Sequence, residues 1–82
     1  MEYLKNVTEE EIEDFHKKIA SNVRRVRKEK GRTQLDLALS IGFKSATFIG
    51  NAEACRGGKH FSIVHLYQIA KELDVGVEEF FR

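Results

Sequence analysis

Proline and tryptophan are absent from this 82-residue chain, and cysteine and methionine occur once each. One thiol, Cys55, excludes an internal disulfide and a thiolate-rich zinc site, which agrees with a reducing compartment. Its plain role is that of a small filler near a helix end. No stretch approaches the roughly 20 apolar residues that span a bilayer. The start Met1-Glu2-Tyr3-Leu4-Lys5 also lacks the apolar core of a signal peptide, so a cytoplasmic protein without membrane contact is expected. His16, His60 and His65 fall on separate elements with no cysteine or paired carboxylate at ligand spacing; neither a metal site nor a cofactor is expected. Ser-His-Asp and Cys-His sets and phosphate-cradling glycine motifs are missing too, so no catalytic residue and no enzyme activity are expected.

What is present is charge, sorted along the chain. The net charge of +1 hides three blocks. Residues 1–16 set one lysine against six carboxylates, residues 17–34 set eight cations against Glu29, and residues 35–82 set five cations against six carboxylates. The middle block is the candidate electrostatic footprint for a polyanion. With 41% hydrophobic and 33% charged residues, the composition suits one ordered domain with one modest core rather than a disordered chain.

Hydrophobic spacing predicts an all-α chain of five helices. Thr8 and Glu11 form a capping-box pattern, and the acidic first turns favour the positive end of a helix dipole. Ile12, Phe15, Ile19, Val23 and Val26 then lie on one helical stripe, which Gly31 ends. Thr33 caps a second helix over 34–40 with Leu37, Ala38 and Ile41 on one side, and Gly42 breaks it. Ser45 is the expected cap of a third helix running to about Ala54, with Ile49 and Ala52 inward. Arg56-Gly57-Gly58-Lys59-His60 reads as a loop. Ser62 caps a fourth helix carrying Ile63, Leu66, Ile69, Ala70 and Leu73, and a short helix over 77–81 closes the chain. No strand pattern or repeat competes.

These pieces carry a family resemblance over residues 19–81. Val23-Arg24-Arg25-Val26-Arg27-Lys28-Glu29-Lys30-Gly31 with Thr33-Gln34, then Leu37-Ala38-Leu39-Ser40-Ile41-Gly42, residues 45–53, Phe61-Ser62-Ile63 with Leu66, Ile69-Ala70-Lys71-Glu72-Leu73 and residues 75–81 follow one another in a fixed order. In that order and spacing the chain resembles the phage-repressor (Cro-like, XRE) family of helix-turn-helix domains. The resemblance implies a single compact repressor-like domain over 1–82. Residues 1–16 are then an acidic extension that includes the start of the first helix, and 33–54 are the helix-turn-helix. It also implies a small transcriptional regulator that binds double-stranded DNA, as a homodimer, with the helix over 45–54 in the major groove.

Carried over by position, Ala46, Thr47, Gly50 and Asn51 face base edges. Asn51 can pair with adenine through its amide, and the Ala46 and Thr47 methyls can touch thymine, whereas Gly50 offers no reading group. The Asn51 position is equally compatible with plain exposure. Arg32, Thr33, Gln34, Lys44, Ser45, Arg56 and Lys59 are the candidate phosphate contacts, with Lys17, Arg24, Arg25 and Lys28 as further cations and His60 as an added contact. Gln34 has an alternative as a capping partner of Thr33. Arg27 and Glu53 fall where similar proteins pair a first-helix arginine with a third-helix glutamate, and are expected to form a structural clamp.

Three features depart from the family pattern. The turn 42–45 is one residue longer than usual, and the loop 54–60 is longer as well. Leu35 and Leu39 stand where polar residues are usual. Their cover is either the N-terminal extension, through Tyr3 or Leu4, or a partner surface; Phe80 and Phe81 join them as apolar residues available to a dimer. The acidic start, the low net charge and the small side chains over 45–54 also fit a protein-interaction module of the same fold, antitoxin-like or an anti-repressor partner, with weak or no DNA binding.

Overall fold

A computed structural model describes residues 6–82. Among the described residues four α-helices follow one another: α1 (Glu9–Glu29), α2 (Gln34–Ser40), α3 (Thr47–Glu53) and α4 (Ile63–Leu73). A 3₁₀ turn, Arg56–Gly58, lies between α3 and α4, and a 3₁₀ helix, Val77–Phe81, ends the chain. The expected fifth helix is therefore a 3₁₀ segment. Among the described residues there is no strand, and no helix is long and apolar enough to cross a membrane.

Local chemistry sets most boundaries. Thr8 Oγ1 accepts from the Glu11 N–H at 3.0 Å to start α1, and Thr33 Oγ1 accepts from the Asp36 N–H at 3.1 Å to start α2. Both helices end in the same way. Gly31 (φ 70°) and Gly42 (φ 99°) take left-handed conformations. The chain then turns back so that Arg32 N–H donates to the Arg27 carbonyl at 3.0 Å and Phe43 N–H to the Ala38 carbonyl at 2.9 Å. This six-to-one closure satisfies carbonyls that a helix end leaves bare, and it costs least with glycine at the left-handed position.

Among the described residues fourteen apolar side chains form one buried cluster fed by each of these α-helices, from Ile19, Val23 and Val26 on α1 to Leu66, Ile69 and Leu73 on α4. Leu37, Ile49 and Phe80 lie at its centre and are fully buried. The burial of Phe80 removes it from any dimer contact. Phe81 is part exposed and packs on Phe15 with ring centroids 6.2 Å apart. Ile63 also departs from expectation, at 83% exposed, because it occupies the first turn of α4 on the outward side. Leu35 and Leu39 are 49% and 54% exposed; their suggested cover, Tyr3 or Leu4, lies outside the described residues.

A histidine takes the glutamate position of the α4 capping box. Ser62 Oγ accepts from the His65 N–H, and His65 Nδ1 accepts from the Ser62 N–H, each at 3.1 Å. This arrangement requires an unprotonated Nδ1. Burial also pushes the His65 pKa below the ordinary 6.5.

Leu37→Ala should cost about 2–5 kcal/mol by urea denaturation and Ile63→Ala no more than about 0.5 kcal/mol; equal midpoints would contradict the core described above. Since the folded His65 pKa lies below its unfolded value, its contribution is complete above the unfolded pKa and is lost as pH falls through the folded one. Wild-type stability should accordingly drop more between about pH 7.5 and about pH 5 than that of His65→Gln, which keeps the reciprocal bond without a titrating ring. Parallel pH profiles would remove His65 from the account.

Candidate functional site

The third helix has one side in the core and one side facing out. Ile49 and Ala52 are buried, while Thr47 is exposed and Ala46, Gly50 and Asn51 are partly exposed. Its start differs from expectation. Ala46 occupies the capping position without a side-chain bond, and Ser45 Oγ accepts from the Thr47 N–H at 3.3 Å, one residue too early for a regular cap.

Aromatic packing fixes that entrance from the inner side. The Phe48 ring stacks on Phe43 at 4.7 Å, meets Phe61 edge-on at 5.9 Å and lies 4.5 Å from the His65 ring. Phe43 belongs to the turn after α2 and Phe48 to the first turn of α3, so both ends of the turn are held in one cluster that α4 joins through His65.

At the other end of α3, a buried ion pair ties three helices together. Arg27 Nε donates to Glu53 Oε2 at 2.7 Å and Nη2 to Oε1 at 3.0 Å, a two-point fork between side chains only 7% and 2% exposed. Arg27 Nη1 donates to the Arg32 carbonyl at 2.7 Å, and Gln34 Nε2 donates to Glu53 Oε1 at 3.1 Å. No buried side-chain nitrogen or oxygen among the described residues lacks a hydrogen-bond partner. Gly50 allows the Gln34 link: a Cβ there would sit 3.3 Å from Gln34 Oε1, closer than most side-chain carbons approach. Gln34 thus has a positioning role, and Thr33 spends its hydroxyl on the α2 cap.

The expected phosphate-contacting cations divide into two sets. Arg32 is occupied by the scaffold: Nε donates to Asp36 Oδ2 at 2.8 Å, and its other nitrogens reach Ser40 Oγ and the carbonyl and carboxylate of Glu72. The bond to Arg32 holds the Asp36 carboxyl below, and the guanidinium above, their ordinary ranges. Arg25 turns away to Glu29 and Glu79. Arg24, Lys44, Arg56 and Lys59 have no ion-pair partner among the described residues. They flank α3. Lys44 and Lys59 line a groove with Thr47 and Asn51, and Arg24 and Arg56 line a second one with Gln34 and Gly50. Arg56 Nη1 donates to Asn51 Oδ1 at 2.8 Å, so the Asn51 carbonyl is engaged while its amide nitrogen is not in that bond.

His60 is turned away from this face. Its Nε2 lies 3.2 Å from Glu13 Oε2, and its ring stacks on His16 with centroids 3.6 Å apart. Sequence reading had no signal for that grouping, since α1 and the 54–60 loop meet only in the fold.

Comparison with protein-family models, curated proteins and solved structures finds no match to this chain.

Removing one member of a buried ion pair leaves the other desolvated and alone. Glu53→Ala should therefore lose about 3–5 kcal/mol in urea or thermal unfolding, well beyond Glu79→Ala, whose contacts to Arg25 and Arg82 lie at the surface. Equal losses would show that Glu53 does not organise the three helices.

Proposed function

We propose that this chain binds double-stranded DNA as a small cytoplasmic regulator of the phage-repressor type, with α2, the turn and α3 acting as a helix-turn-helix and α3 entering the major groove. The observation that carries the reading is the outward side of α3. It is not packed into the interior, and it runs between two grooves that each hold two cations without ion-pair partners among the described residues. A phosphate strand on either side of a groove needs that pattern of charge.

In this reading Thr47 and Asn51 meet base edges, the Ala46 methyl adds apolar contact, and Gly50 serves the scaffold rather than the DNA. Lys44, Ser45, Arg56 and Lys59 contact phosphates on the α3 side, with Arg24 added from α1. Arg56 has a double part. When it moves to a phosphate it releases the Asn51 carbonyl, and the asparagine can then offer both halves of its amide to adenine. With few long polar side chains facing the groove, sequence preference is modest and partly dependent on DNA shape. Homodimer formation belongs to the proposal, so that two copies read two half-sites.

A protein-interaction module is the second reading. It is favoured by apolar exposure away from α3, at Leu35 and Leu39 on α2 and at Ile63, Val64 and Tyr67 on α4.

Selection of bound duplexes from a random library tests the proposal. A shared motif should be enriched, log affinity should fall with log salt at a slope reporting about 3–5 phosphates per chain, and Lys44→Ala should lower that slope by about one. Asn51→Ala should reduce discrimination by about 1–3 kcal/mol at one base position. Salt-independent binding, or no enrichment with retained folding, would favour the interaction module instead.

A further inference from the structure

Glu13, Cys55 and His60 are far apart in sequence, yet their carboxylate, thiol and imidazole ligand atoms all lie within 4.8 Å of one another. We propose that these three side chains form a site for a borderline divalent transition metal, zinc(II) in the first instance, with one coordination position left open. The site lies outside the α3 face and does not depend on DNA binding.

Donor chemistry selects the ion. A thiolate beside an imidazole and a carboxylate suits zinc(II) or cobalt(II), whereas calcium and magnesium prefer oxygen alone. Tetrahedral bonds of about 2.0–2.3 Å put neighbouring ligand atoms about 3.4–3.7 Å apart. Contraction from the observed spread by about 1 Å is within reach of side-chain rotation. His60 Nε2 and Glu13 Oε2 are already 3.2 Å apart.

The fold supplies a different element for each ligand. Glu13 sits on α1, Cys55 follows α3 in a left-handed conformation (φ 50°), and His60 ends the loop before α4. All three are partly buried. His16, one turn along α1 from Glu13, stacks flat on the His60 ring at an interplanar angle of 4° and is its positioning residue. Burial, and then the neighbouring Glu13 charge, push the Cys55 thiol pKa up. Sulfur thus holds its proton in the metal-free chain; coordination forms the metal–sulfur bond and releases that proton to solvent. A bound ion joins the 54–60 loop to α1.

The full chain, reduced with a phosphine, is titrated with cobalt(II) and then with zinc(II). The expected result is one cobalt per chain, with a thiolate-to-cobalt charge-transfer band and the intense visible absorption of four-coordinate cobalt, both erased by zinc. Cys55→Ser should abolish the charge-transfer band. Glu13→Gln and His60→Gln should each weaken binding by about tenfold or more. X-ray absorption of the zinc-loaded wild type needs no variant and should show one sulfur with nitrogen or oxygen neighbours. Absence of the band, its survival at full strength in both Glu13→Gln and His60→Gln, a ratio of one metal to two chains, or a zinc shell with no sulfur or several would each overturn the proposal.

Discussion

The Glu53 carboxylate is the constraint on which the candidate site depends. It lies at the last residue of α3, accepts a fork from Arg27 on α1 and a third bond from Gln34 at the start of α2. A charge that deep is tolerable because three hydrogen bonds from a guanidinium and an amide satisfy it. Arg27 projects from a helix of 21 residues, and Gln34 crosses α3 where Gly50 leaves room. The angle at which α3 presents its outer side is therefore set by polar geometry at one end and by the Phe43–Phe48–Phe61 rings at the other. Apolar burial of Ile49 and Ala52 supplies attraction between these two anchors but little direction.

Electrostatically, the scaffold occupies three of the eight cations of residues 17–34. Arg27 is buried against Glu53, Arg32 is held by Asp36 and Glu72, and Arg25 faces Glu29 and Glu79. What remains around α3 comes from Arg24 of that block and from three cations scattered through residues 44–59. Neither the net charge nor the densest basic stretch thus identifies the surface best suited to a polyanion. Partnering narrows the candidates, because a cation already bonded to a carboxylate offers little field to an incoming phosphate.

Much of the fold was legible in the sequence. Helical spacing and the caps at Thr8, Thr33 and Ser62 located α1, α2 and α4, and the glycines at 31 and 42 marked two helix ends that close by the same hydrogen bonds. The fork between Arg27 and Glu53 lies where the family resemblance put a pair. The misses have local causes. Ser45 loses the capping position to Ala46 because the helix starts one residue later, Ile63 keeps the helical period while facing outward, and Phe80 is swallowed by the core from a 3₁₀ segment too short to show a period. The hold of Glu72 on Arg32 and of Glu53 on Gln34, and the meeting of Glu13, Cys55 and His60, all join residues from different elements. Spacing along the chain carries no record of such contacts.

The central claim is that the outer side of α3 and its flanking cations receive a DNA duplex. Its most direct test is nuclear magnetic resonance of the isotopically labelled chain titrated with a duplex. The account predicts that amide and side-chain signals of Lys44, Thr47, Asn51, Arg56 and Lys59 shift together, while the buried Arg27 and Glu53 signals move little. Shifts confined to the exposed apolar side of α4, or none at duplex excess, would contradict it.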